Sequence, residues 1–379
     1  MSSIEDWKLN NPYFIDTITV KGLLSRYNIE WNLSDVNVLV GKNGSGKSTI
    51  FKLAQLALTK LGMNENDSDA THKSILRSVA NKFKSIEIRL NNGLCTTFSI
   101  SDTLKEKDNL LSVLEGFISN GNNFEDAERF DENLSALKAL QSFLTNYEEK
   151  PNVTPYLVTG ASDFIGKDKK NNFEKNVSID FISTFDMLLL SQEKYDEASK
   201  KSYSQLDSVM RDEANALKSN LLKMSNHTSE QFQELEKTNN NKKLSVLKNN
   251  NFSQVNIFKK VVNGLFKDEG KFFDINESGD IVVKYRDLKI SLSELSSGEK
   301  QLLIILLKVL NNSIFKPCII FMDEPEISLH VSWQNKLIES IRRIAPNSQI
   351  IIVSHSPAVV MKNWLSKLVD IKDIAEVIK

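Results

Sequence analysis

Gly41-Lys42-Asn43-Gly44-Ser45-Gly46-Lys47-Ser48 is the first stretch whose residue types and spacing can do chemistry. Glycines let a backbone close around phosphate oxygens, with amide N–H groups pointing inward at the start of a helix. A lysine and a hydroxyl complete the pattern G-x-x-x-x-G-K-[ST] without departure. Lys47 is expected to neutralise the β- and γ-phosphates of a nucleotide, and Ser48 to coordinate Mg²⁺. Asn43, Gly44, Ser45, Gly46 and Thr49 complete the candidate nucleotide contacts. The plain alternative is a chance Gly/Ser-rich turn. Against it stands the loop's place between an apolar run, VNVLV, and a helix-like run, STIFKLAQLALTKLG.

Three later stretches carry further polar groups at the ends of apolar runs. CIIFMDEPE delivers Asp323, suited to hold Mg²⁺ through water, and Glu324, suited to orient or deprotonate an attacking water. Alone, such an acidic pair is most often a solvated loop. In LSSGEKQ, the residues Ser296, Ser297, Gly298 and Glu299 read as a helix cap with an acidic first turn. A capped helix start is also an anion site, so the two readings agree. QIIIVSHSP ends in His355, and a lone histidine is more often a satisfied residue than a reacting one. Glu324 and His355 are the candidate catalytic residues, and Ser48 and Asp323 the candidate metal ligands.

These groups need strands and helices to position them. ITVKGLL, YNIEWNL and VNVLVG predict three strands, the last feeding the glycine-rich loop. SIEIRLNNGLCTTFSI predicts a hairpin with a two-residue Asn92-Gly93 turn. KFFDI and IVVKY predict a second hairpin, and VSIDFISTF a further strand. CIIFMD and SQIIIVS fit buried parallel strands with functional groups at their carboxyl ends. Residues 104–118 and 132–144 have helical apolar spacing, and TNNNKKLSVLKNNN predicts a loop or hairpin tip. Leu206, Met210, Ala214, Leu217, Leu221 and Met224 alternate between four- and three-residue steps. That spacing fits either a short coiled-coil seam or one amphipathic helix packed on its own domain.

Composition narrows the class. The chain has 379 residues, 40% hydrophobic and 26% charged, with a net charge of −1. No global basic field points to nucleic acid. Two cysteines and four histidines at scattered positions supply no zinc spacing, and Cys318 reads as a core residue. Neither a signal-peptide pattern nor a membrane-length apolar run is present, so the expectation is a soluble cytoplasmic protein without a membrane partner.

In order, spacing and strand context, the four motifs resemble those of the ABC-type ATPases of the SMC, RecF and OLD (overcoming-lysogenisation-defect) group, over residues 15–65 and 290–360. The resemblance implies an α/β fold, a P-loop NTPase of ABC type whose head is split by a helical lid or short coiled-coil insertion. Residues 1–103 and 271–379 would form the two halves of the head, and 104–270 the insertion. It implies a mixed sheet with helices around it, plus an N-terminal antiparallel part. It also implies a homodimer or higher homo-oligomer sandwiching ATP and Mg²⁺, with Ser296–Glu299 of one subunit facing the phosphate loop of the other. His355 then corresponds to the switch histidine at the γ-phosphate, while Glu326, Ser328 and His330 fall near the subunit interface. SMC arms are far longer than this insertion. OLD nucleases carry a TOPRIM domain that the short stretch after His355 does not match, and Gln192 alone is a candidate glutamine-loop residue. Compact ATPases of this kind resemble the ATPase subunits of the two-gene anti-phage systems PARIS and Septu. That likeness implies an ATP-hydrolysing scaffold or sensor that holds or activates a separate nuclease effector in response to a phage-encoded trigger. The alternative is a RecF-like DNA-maintenance ATPase, with Lys200, Lys201, Lys242, Lys243, Lys259 and Lys260 as candidate DNA contacts. A transporter's ATP-binding subunit fits the long insertion least.

Overall fold

The computed structural model describes residues 4–62, 75–76, 78–79, 82–102, 156–162, 167–183, 204–237, 252–327, 329–355 and 362–378. The helices expected over 104–118 and 132–144, the tip near residue 240, Gln192, Ser328 and the lysines at 200, 201, 242 and 243 lie outside these residues. In chain order the elements are α1 (Ile4–Asn10), β1 (Ile15–Leu23), β2 (Tyr27–Asn32), β3 (Val36–Val40), α2 (Lys47–Gly62), β4 (Ser85–Leu90) and β5 (Cys95–Asp102). Then come β6 (Tyr156–Ser162), α3 (Lys167–Asn176), β7 (Ser178–Ser183), α4 (Gln205–Lys237), α5 (Ser253–Phe266), β8 (Lys271–Ile275), β9 (Ile281–Tyr285) and β10 (Leu288–Ile290). The last are α6 (Ser297–Ser313), β11 (Cys318–Asp323), α7 (Val331–Gln334), α8 (Leu337–Ile344), β12 (Gln349–Ser354), β13 (Leu368–Asp370) and β14 (Ala375–Val377).

The main sheet, expected to be mixed, is parallel throughout, and the expected antiparallel part is a sheet of its own. Five strands in the order β13-β3-β12-β11-β7 are all parallel. Six others, β14-β2-β1-β4-β5-β6, make an antiparallel sheet, and β10-β9-β8 a small third one. Every residue of β11 and β12 is buried, because layers cover both faces of the parallel sheet. Alternate residues serve opposite cores. Val36, Val38, Cys318, Ile320, Met322, Ile350 and Ile352 pack with α4, α5, α6 and α8. Leu39, Ile319, Phe321, Ile351 and Val353 pack with α2 and the antiparallel sheet. Burial pushes the Cys318 thiol well above its ordinary value, as expected of a core cysteine.

The repeat over 206–224 lies on one long helix, α4, seated on its own domain. Leu206, Met210, Leu217 and Leu221 join the apolar core that α6 shares. Asp207 and Glu213 pair with Lys300 at 2.8 Å and Lys308 at 3.3 Å, both on α6. Strand β7, within the expected insertion, pairs with β11 from Cys318↔Ser178 to Asp323↔Ser183. Strand β7 is therefore a strand of the same parallel sheet as β3, β11 and β12.

The β4–β5 connection is one residue longer than expected. Leu90 N donates to Leu94 O (2.8 Å) and Gly93 N to Leu90 O (2.9 Å), closing a three-residue loop with Gly93 at φ 82°. Asn91 N and Asn92 N donate to Phe14 O and Pro12 O, which draws the extra residue toward the N-terminal segment. Among the described residues, no helix is long and apolar enough to cross a membrane.

Candidate functional site

Strand β3 runs into the glycine-rich loop, and α2 starts at Lys47. Gly44 and Gly46 hold φ of 75° and 97°, the left-handed region that glycine enters without steric cost. A Cβ on Gly46 would lie 2.8 Å from Leu23 Cδ2, so β1 leaves the loop backbone no room for a side chain there. Asn43 and Gly44 are exposed, Ser45, Ser48 and Thr49 half-buried, and Lys47 buried. Lys47 Nζ donates to Gly41 O (2.9 Å) and Lys42 O (3.1 Å). Burial lowers the Lys47 pKa, while the charges of Glu324, Asp323, Asp370 and Glu326 push back.

Strand order explains how the distant motifs meet. In the parallel sheet β12 lies between β3 and β11, so His355 emerges between the glycine-rich loop and the Asp323-Glu324 pair. Its Nε2 stands 2.6 Å from Glu324 Oε1, and its Nδ1 stands 3.2 Å from Lys47 Nζ. A lysine ammonium has only donors, so Nδ1 must present its lone pair there. The proton then sits on Nε2 and is donated to the Glu324 carboxylate. Ser48 Oγ donates to Asp323 Oδ1 at 3.2 Å. A hydroxyl and a carboxylate side by side are the hard oxygen donors that suit Mg²⁺, and the glycine backbone with buried Lys47 suits polyphosphate.

The Ser296–Glu299 stretch starts α6 with a reciprocal cap. Glu299 N donates to Ser296 Oγ (3.3 Å), and Ser296 N donates to Glu299 Oε2 (2.8 Å). Glu299 turns inward, where Lys271 Nζ reaches its two oxygens at 2.6 and 2.7 Å. Burial raises the Glu299 pKa, but the Lys271 and Ser296 hydrogen bonds outweigh it and hold the carboxyl below its usual value. Ser296 and Ser297 stay exposed, with Gly298 half-buried behind them. Exposed His330 caps α7, accepting from Ser332 N at 3.4 Å.

Two carboxylates sharpen the sequence reading. Asp370, which it passed over, ends β13 beside Val40, one residue before the loop. Its only sequence signal was a short apolar run, LVD, too brief to stand out. Glu326, which the resemblance puts near a subunit interface, is 5% exposed within the chain and accepts a hydrogen bond from Ser354 Oγ.

A parallel sheet whose strand ends gather a phosphate loop, an acidic pair and a histidine defines an α/β P-loop ATPase. The chain belongs to the AAA ATPase domain family, whose model matches residues 14–360. It is 25% identical over 362 residues to the Retron Ec83 probable ATPase of Escherichia coli, covering 85% of this chain and 64% of that one. The chain thus spans less than two thirds of that relative's length. It is 33% identical over 90 residues to the Retron Vc95 probable ATPase of Vibrio cholerae, covering 21% of this chain and 18% of that one. The Septu protein PtuA of Bacillus thuringiensis is 26% identical over 119 residues, 28% of this chain and 30% of its own. Among solved structures, the SMC head domain from Thermotoga maritima aligns over 96% of this chain and 98% of that one. Its TM-score is 0.42 at 13% identity, a distant likeness.

Proposed function

We propose that this chain is the ATP-hydrolysing subunit of an anti-phage defence complex, in which it holds or activates a separate nuclease effector. The observation that carries the ATPase reading is the hydrogen-bonded chain Lys47–His355–Glu324 at the strand ends that also bring Ser48 onto Asp323. Glycine amides and Lys47 hold the phosphates, while Ser48 and Asp323 hold Mg²⁺, which supplies charge neutralisation on the phosphate oxygens. Glu324 orients and deprotonates the attacking water, and His355 steadies Glu324 from the strand between. Exposed Ser296 and Ser297 at the start of α6 face the nucleotide of a second copy, so the working unit is a homodimer or a multiple of it. Relatives named as retron and Septu proteins support the defence setting and the expectation of an effector. They say nothing of PARIS.

Glu324→Gln tests the reading. The variant should bind ATP and Mg²⁺, hydrolyse at least ~10²-fold more slowly, and accumulate as an ATP-dependent dimer in light scattering. Wild-type turnover by that variant would remove Glu324 from the chemistry, and a monomer at saturating ATP would remove the second copy.

A further inference from the structure

The backbone at Glu324 is unusual. Its φ is 49°, in the left-handed region, where a residue with a side chain is strained. Such conformations persist only where surrounding contacts over-determine them, and they gather at functional sites. Two contacts to β12 bracket this residue. On its N-terminal side, Glu324 N donates to Val353 O at 2.8 Å. Two residues on, the Glu326 carboxylate accepts the short hydrogen bond from Ser354 Oγ. Ser354 is fully buried and Glu326 nearly so, which makes this contact strong and costly to break. Glu326 is anchored in turn, since Gln334 Nε2 and Leu329 N donate to its carbonyl at 3.1 and 3.0 Å. Ser354 also immediately precedes His355, the residue that meets the Glu324 carboxylate. The two hydrogen bonds therefore set the spacing between the loop bearing Glu324 and the strand end bearing His355, the backbone one at Glu324 itself and the side-chain one two residues on.

We infer that Glu326 is a positioning residue for ATP hydrolysis, acting through Ser354 to hold Glu324 in its left-handed conformation against His355. This rests on the ATPase reading above. It assigns Glu326 no contact with nucleotide, metal or water, and it explains why a carboxylate is buried beside a site already rich in negative charge. In the inferred role Glu326 supplies an acceptor oxygen at a fixed place, and its charge is secondary.

The test uses the full chain and compares steady-state turnover and ATP affinity for wild type, Glu326→Ala, Glu326→Gln, Ser354→Ala and the double alanine variant. Misplacing a reacting group by about 1 Å costs on the order of 10²-fold in rate. Ser354→Ala and Glu326→Ala should thus lower kcat ~10- to 100-fold while leaving the ATP Kd within about twofold. Glu326→Gln, whose amide oxygen still accepts from Ser354, should recover most of that loss. The double variant should be no slower than the slower single one, since both remove the same bond. Unchanged kcat in Ser354→Ala overturns the inference, as does a Glu326→Gln loss equal to that of Glu326→Ala, which would make the charge itself the agent. Should Glu326→Ala fail to fold, Ser354→Ala and Glu326→Gln decide the matter. Absence of turnover in the wild type would instead sink the ATPase reading.

Discussion

Gly44 and Gly46 share the sign of φ and differ in their surroundings, which separates the two demands that a phosphate loop makes on its residues. A Cβ on Gly44 would meet nothing within 4 Å, so an alanine there bears conformational strain alone, about 1 kcal/mol. On Gly46 the same atom would press on Leu23 at 2.8 Å, in the buried core beneath β1. Gly46→Ala should therefore lower the melting temperature more than Gly44→Ala and weaken ATP binding further, as differential scanning fluorimetry with and without nucleotide would show. Equal shifts would mean that the loop yields at Leu23. The pattern G-x-x-x-x-G-K-[ST] requires Gly46 and leaves position 44 open, but the sequence does not show that Leu23 is what crowds Gly46.

Between elements, the joint of α4 with α6 links a helix of the expected insertion to the helix that begins at Ser297. Lys308 stands at its centre, paired with Glu213 on α4 and close to half-buried Asp180 on β7. Burial lowers the Lys308 pKa, but the Asp180 and Glu213 charges outweigh it and hold it above its ordinary value. Lys308→Ala would leave the Glu213 and Asp180 carboxylates without their shared cation, a loss of about 2 kcal/mol in urea unfolding. Lys218→Ala, which breaks the half-exposed pair with Asp280, should cost under ~1 kcal/mol. Comparable losses would show that this network does not seat α4. Strands β11 and β12 were legible because covered parallel strands read as unbroken apolar runs, IIFM and IIIV. The partner of α4 was not legible, because the Leu206–Met224 spacing states that one face is apolar and is silent on what covers it. The Asn92-Gly93 turn was found with the wrong loop length because bonds from Asn91 and Asn92 to Phe14 and Pro12 come from distant chain. For the same reason Glu326 showed nothing of its tie to Ser354.

At the scale of the molecule, strands far apart in the sequence meet in one sheet, and buried polar contacts fix that meeting. Gln349 Nε2 donates to Ile15 O (2.8 Å) and Ser34 O (2.9 Å), while its Oε1 accepts from Ile15 N (2.9 Å). One side chain thus ties β12 to the start of β1 and to the turn before β3. Beside it, Asp35 accepts from Lys367 Nζ at 2.6 Å and from Arg342 Nη2 at 3.2 Å, joining the head of β3 to α8 and the C-terminal segment. Burial alone would raise the Asp35 pKa. The Lys367 hydrogen bond and the charges of Arg342 and Lys367 outweigh it and hold the carboxyl below its ordinary value. A group whose folded pKa is depressed binds its proton more readily in the unfolded chain. Its contribution is complete above the unfolded value, near pH 4, and drains away as pH falls through the lower folded value. Asp35→Asn removes that contribution while nearly conserving shape. In urea unfolding the wild type should be the more stable at pH 7, and the gap should close as pH falls below about 4. A gap that stays constant down to pH 3 would assign the loss to packing, leaving the ion pairs no part in joining β3 to α8 and the C-terminal segment.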